Sequence, residues 1–233
     1  MNTPLLALAL LLSAAPAQKK GAAARPTPVP AAPAPAPPEK KVEPFEGYFF
    51  YKAEATNILA KNSAQAARGA GQVKLAVSGL GVRSEAKFVG SGQSSATTTL
   101  VSGNPPVSRG WSPQAQRFLP MPPPPQVTRG QVKSEKLGTE TLVGLETVHV
   151  RIMDGADTLE FWTAPGLVTD LQMQWIAASS SRLPAYVADE LKRHGAWGPV
   201  VRSVRGTSMV QLERVERTKL SPAIFSESTA PAN

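Results

Sequence analysis

From residue 73 onward, apolar side chains recur at every second position. Val73, Leu75 and Val77 share one side of their stretch. Val82, Ser84, Ala86 and Phe88 share one side of the next, with Arg83, Glu85 and Lys87 opposite. Period two is the signature of a strand with one buried face. Residues 95–101 (SATTTLV) are rich in strand formers. In residues 145–153, Leu145, Thr147, His149 and Arg151 fall on one side, and Glu146, Val148, Val150 and Ile152 on the other. Asp154-Gly155 is a tight-turn signal, and residues 157–163 (DTLEFWT) answer as the partner strand. Aromatic-rich residues 45–52 open the series, and 199–205 and 207–217 close it. Residues 168–178 and 184–194 leave this period and read as helices. The second carries Tyr186, Val187 and Leu191 as its apolar stripe and Gly195 as its stop. Short turns between strands favour antiparallel pairing. The expected fold is α+β: a curved antiparallel sheet of eight to ten strands, covered on one face by two or three helices.

Three stretches read differently. Residues 53–68 are Ala-rich and are either a short helix or a mobile insertion. Residues 103–131, broken by Gly103-Asn104-Pro105-Pro106 and by LPMPPPP at 119–125, read largely as loop. Residues 226–233 read as a frayed tail behind a docked 220–225.

The N-terminal region sets the expected compartment. Residues 5–12 (LLALALLL) are a short apolar run, and Ala15-Pro16-Ala17 is an A-x-A cleavage site, which together give the layout of a secretory signal peptide over 1–17. Met1-Asn2-Thr3-Pro4 lacks the usual Lys or Arg. The run is too short for the roughly 20 apolar residues that span a bilayer, and no later segment reaches that length. The expectation is an exported, soluble protein, periplasmic or secreted, without a transmembrane segment. Residues 18–44 are Pro/Ala-rich and read as an extended disordered linker reaching on the order of 80 Å. One globular domain, 45–225, follows.

The chain has no cysteine, so disulfides, thiolate metal sites and a lipidated cysteine anchor are excluded. Its net charge is +8. Part of that excess is in the linker, in Lys19, Lys20, Arg25, Lys40 and Lys41 against Glu39 and Glu43. The domain has no run of like charges, and aromatic residues are sparse at 6%, so neither a phosphate-tracking stripe nor a stacking platform for nucleic acid is present.

No constellation for catalysis emerges. The two histidines, His149 in a strand and His194 before Gly195, lack H-x-x-x-H or H-x-H spacing, and without cysteine they make a poor zinc set. Ser84-Glu85-Ala86-Lys87 matches S-x-x-K, but period two sends Ser84 and Lys87 to opposite faces. Gly69-Ala70-Gly71 lacks the third glycine of a dinucleotide loop. Asp154, Asp157 and Glu160 flank a turn without calcium-loop spacing and read as a solvated hairpin. The reading is therefore of no enzyme, no metal and no cofactor.

Several stretches nevertheless resemble a known group. These are Phe45-Glu46-Gly47, Val82-Arg83-Ser84-Glu85, residues 138–144 (GTETLVG) with the strand to Ile152, residues 159–167 (LEFWTAPGL), residues 212–216 (LERVE) and residues 220–225 (LSPAIF). Over about 45–225, most strongly after 137, the chain resembles the exported bacterial domains of unknown function DUF4412, which in turn look like the LolA/LolB type of lipoprotein carrier. The resemblance implies a half-open β-barrel with helices across its mouth, enclosing an apolar cavity that in the carriers takes acyl chains. The cysteine common after the G-x-E-x-x-x-G turn is absent here, where Glu146-Thr147-Val148 stands.

If a cavity exists, Phe161, Trp162, Met173, Trp175, Ile176 and Trp197 are its candidate lining. Buried core aromatics are the ordinary alternative. The expected function is a non-enzymatic carrier or sensor of a lipid or acylated ligand. The alternative is an envelope-structural or protein-interaction module with a filled core, whose partners would be envelope proteins.

Overall fold

The computed structural model describes residues 42–56, 68–90, 93–122, 132–155, 157–179 and 183–231. The expected signal peptide, the linker up to residue 41, and positions 57–67 of the 53–68 stretch lie outside the described residues.

Period-two patterning becomes eleven strands: β1 Gly47–Thr56, β2 Arg68–Ser78, β3 Gly81–Gly90, β4 Gln93–Ser102, β5 Val107–Ser112, β6 Arg117–Pro120, β7 Val132–Leu142, β8 Leu145–Asp154, β9 Asp157–Thr163, β10 Val200–Arg205 and β11 Ser208–Arg217. Two helices, α1 Asp170–Ala178 and α2 Ala185–Arg193, lie between β9 and β10. The strands form one sheet in the order β6-β5-β4-β3-β2-β1-β11-β10-β9-β8-β7. Every neighbouring pair is antiparallel. The sheet is open, with β6 and β7 as its edges. It is thus two meanders, β1–β6 and β7–β11, joined at a β1–β11 seam.

Register carries the apolar alternation across strands. Ala53, Val210, Ser203 and Phe161 stand in one row. One step deeper, Leu212, Tyr51, Val73, Ala86 and Thr97 form the next. Strands β4 and β9 stand six places apart in the sheet order, which at ~4.8 Å per strand would be about 29 Å if flat. Both line one cavity, so the sheet curves strongly.

Two expectations about elements change. Among the described residues the α-helices number two, not three. The docked 220–225 stretch holds only a 3-10 turn, Pro222–Phe225. Residues 103–131 are also less of a loop than expected, because β5 and β6 form a hairpin there. Trp111 packs edge-on to Phe118 with ring centroids 5.3 Å apart. Pro120 is tolerated because β6 is an edge strand with no further ladder to feed.

Each helix is fixed to its own half of the sheet. Thr169 caps α1: its hydroxyl accepts from the Gln172 amide, while the Gln172 side chain accepts from the Thr169 N–H. The same Gln172 side chain, fully buried, reaches Phe45. Its Oε1 accepts from Phe45 N at 3.0 Å and its Nε2 donates to Phe45 O at 2.7 Å. Trp175 Nε1 donates to Gly103 O at 2.7 Å, and Ser108 Oγ donates to Ala178 O at 2.9 Å. Beneath α1, Met173, Trp175 and Ile176 join Phe45, Phe49, Leu75, Val77 and Val82 in one core cluster. Beneath α2, Val187 and Leu191 join Val150, Ile152 and Phe161 in a second.

The far face of the sheet is closed in part by the C-terminal segment. Arg83, 4% exposed, donates to the carbonyls of Ile224, Thr229 and Ala230, each at 3.1 Å, and to Glu85 Oε1 at 3.1 Å. Arg109 pairs with Glu227 at 3.0 Å. Of the stretch read as a frayed tail, 226–231 is described and held by these contacts.

Candidate ligand-binding cavity

Between the two core clusters lies a cavity of about 420 Å³. It spans the seam. Tyr51, Val73, Leu75 and Ala86 come from one half of the sheet, and Leu159, Phe161, Val204 and Val210 from the other. Met173 and Ile176 of α1 and Val187 of α2 form its roof. Tyr51, Thr97, Tyr186, Ser203, Arg205 and Ser208 are the residues with polar side chains in a lining that is otherwise apolar. The exposed residues Phe88, Thr97, Pro184, Arg205 and Ser208 mark the side that meets solvent. The Phe88 ring lies across Gly71, where a Cβ would stand 2.2 Å from it.

The structure brings Phe161, Met173 and Ile176 to this wall and places the three tryptophans elsewhere. Trp162 follows Phe161 and so faces the other side of the sheet. Trp175, buried in the α1 core cluster, donates to the Gly103 carbonyl. Trp197 Nε1 donates to Asp170 Oδ1 at 2.7 Å, with Lys192 Nζ 4.7 Å from its ring centroid. Sequence reasoning missed Tyr51, Val73, Ala86, Phe88 and Val187. The alternation had placed most of them on one face, but which part of that face the helices leave uncovered is not a local property.

Opposite the cavity, Trp162 belongs to a polar ladder across β7–β10. His149 stacks on it with centroids 3.9 Å apart, and Arg202 lies 5.0 Å from its ring centroid. Its indole N–H donates to the Glu140 carboxylate. His149 Nε2 is 3.2 Å from Glu160 Oε2, and Arg151 Nε donates to Glu160 Oε1 at 3.0 Å. Asp157 pairs with Arg205 at 2.7 Å, so Asp157 and Glu160 are committed to different cations. Among the described residues no three His, Asp or Glu side chains gather as a metal site.

Burial acts to raise the Glu160 pKa, but the hydrogen bonds from Arg151 and His149 outweigh it and hold the carboxyl below its ordinary 4.5. A carboxylate with a depressed folded pKa stabilises fully above its unfolded value and loses that contribution as pH falls through the folded one. Glu160→Gln should therefore lower stability by about 1 kcal/mol or less at neutral pH. The deficit should shrink below pH ~4.5. Urea midpoints of both proteins across that range check it, and a pH-independent deficit would contradict it.

The second histidine closes another contact. Ser134 Oγ on β7 lies 2.8 Å from His194 Nε2 and also donates to the Glu190 carboxylate of α2. Arg193 adds an ion pair to Glu190 at 2.7 Å. The carboxylate sits on the serine and not on the imidazole, so this is not the nucleophile–base–orienter order of a hydrolase. It ties α2 to the edge strand.

The half of the sheet that carries α2, the ladder and this tie has a recognisable counterpart. Residues 127–231 match DUF4412, a domain of unknown function. The DUF4412 match takes in β7–β11, both helices and the 3-10 turn, and stops short of β1–β6. No curated protein matches the chain. The cavity is therefore walled by DUF4412 residues on one side and by residues outside the match on the other. Among the described residues no helix is long and apolar enough to cross a membrane.

Proposed function

We propose that the chain is an exported, non-enzymatic binding protein whose cavity carries or senses a lipid or other apolar ligand. The observation that supports this is the cavity itself. It lies within the roughly 300–1,000 Å³ of ordinary ligand pockets and has their mostly apolar wall with a few polar groups. Interiors are normally packed with few voids larger than a water molecule, so the alternative, an interaction module with a filled core, draws no support from it. The carrier resemblance points the same way.

Native mass spectrometry of the exported protein, prepared without detergent and paired with lipid extraction, tests the reading. A stoichiometric adduct in the lipid mass range on a chain beginning at Gln18 is the expected result. Ala86, 2% exposed on β3, gives the matching variant. In Ala86→Trp the indole projects into the cavity, and the adduct should fall at least tenfold while the far-ultraviolet circular dichroism stays that of the parent. A bare parent mass, or an undiminished adduct in folded Ala86→Trp, would overturn the proposal.

A further inference from the structure

Tyr51 is the anomaly of the cavity. It stands on β1 at the centre of the sheet, 6% exposed, with Leu212 and Val73 as its same-face cross-strand neighbours. Among the described residues no group accepts from or donates to its hydroxyl. Burial pushes its pKa well above the ordinary 10.0, so the phenol stays neutral and remains a donor. The hydroxyl is not sealed in packing: among the described residues the buried side-chain polar atom without a partner is Arg202 Nε, so the phenol oxygen keeps contact with open volume. The side chains flanking Tyr51 in its row, Leu212 and Val73, are apolar and offer the hydroxyl no acceptor. The hydroxyl borders open volume, because Tyr51 is part of the cavity wall.

Depth adds to this. Along the strands, Arg205 stands at the solvent side, Ser203 one row in, and Tyr51 one row beyond. Two rows are about 13 Å along a strand. A ligand whose only polar group stayed at the Arg205 end would leave the phenol unpaired.

We propose that the cavity selects a chain compound bearing an uncharged hydrogen-bond acceptor, an acyl carbonyl within an otherwise apolar chain, and that Tyr51 donates to that oxygen. This rests on the ligand-binding reading above and narrows its ligand class. A plain hydrocarbon of equal shape fills the same volume and leaves the phenol unmet. Tyr51 is thus the residue that sets specificity, while the surrounding wall supplies most of the affinity.

The test uses the full chain and two probes of equal length, 2-undecanone and undecane. Each is measured by displacement of a fluorescent naphthylamine from the cavity. The parent should prefer the ketone by about three- to tenfold beyond the ratio set by their solubilities, the range a neutral hydrogen bond provides. Tyr51→Phe should remove that preference, weakening the ketone and leaving undecane unchanged. The variant loses only an unpaired hydroxyl, so its urea midpoint should not fall. Both probes binding with the same ratio in parent and Tyr51→Phe would overturn the Tyr51 assignment alone. Neither probe binding the parent would overturn the cavity reading and this inference with it.

Discussion

Gln172→Ala should destabilise the protein by about 3–5 kcal/mol. One side-chain amide serves two places at once. Its oxygen accepts from the Thr169 N–H at the start of α1 and from the Phe45 N–H, and its nitrogen donates to the Phe45 carbonyl. Phe45 is 0% exposed, so neither of its main-chain groups can turn to water when the amide is removed. Each buried group left unpaired costs about 1–3 kcal/mol, and loss of the cap adds to that. Gln172→Glu is the informative companion. It keeps an acceptor for the N–H groups but sets an oxygen against the Phe45 carbonyl, so it should also be strongly destabilising at neutral pH. Urea denaturation with intrinsic tryptophan fluorescence reads both. A loss under ~1 kcal/mol for Gln172→Ala would mean that α1 is held by its apolar face alone.

Gly47→Ala should be of similar size, about 3 kcal/mol or more, by a different route. Gly47 has φ +148°, a region L-residues rarely adopt, and an added Cβ would stand 2.0 Å from the Glu216 carbonyl oxygen and 3.0 Å from Arg217 Cα. Those atoms are main chain of β11 and cannot swing aside, so the seam itself must open. Gly138 provides the control. Its φ is +154°, but nothing lies within 4 Å of the added Cβ. Gly138→Ala therefore carries the conformational term without the collision, about 1–2 kcal/mol. Thermal midpoints of the two variants should separate accordingly. Equal midpoints would show that conformational strain, not the approach of β11, sets the Gly47 requirement.

The strands were readable where one face is buried and the other wet, as in β2, β3 and β8, because burial on one side writes period two into the chain. Helix α2 was readable from its stripe and from Gly195. The β5–β6 hairpin was hidden by prolines that an edge strand accepts and an interior one would not. The candidate site was half visible for a related reason. Phe161, Met173 and Ile176 are apolar and lie on the faces their elements bury, but the tryptophans also carry a polar N–H. Their N–H groups draw them toward acceptors: Trp162 to Glu140, Trp175 to Gly103, Trp197 to Asp170. A largely apolar cavity wall suits Phe and Met better. Tyr51 was invisible as a site residue because its peculiarity is a missing partner, which no sequence displays. The Gln172–Phe45 clamp joins residues 127 apart, beyond the reach of any local pattern.

The seam between β1 and β11 also dictates an order of events. Each meander is built from neighbours in the chain and can assemble as it is made, but Gly47 must wait for Arg217 and Glu54 for Met209. Closing so long a loop is the entropic cost that makes non-local sheets slow to fold. During that interval β1 is a bare edge with the aromatic residues of FEGYFFY beside it, the kind of surface that draws in other strands. The cavity spans the same seam, so its wall is complete only once the two halves have met. A chain stopped before residue 208 would therefore keep ten of the eleven strands but lose β11, and with it the pairing that joins β1 to β10 across the cavity.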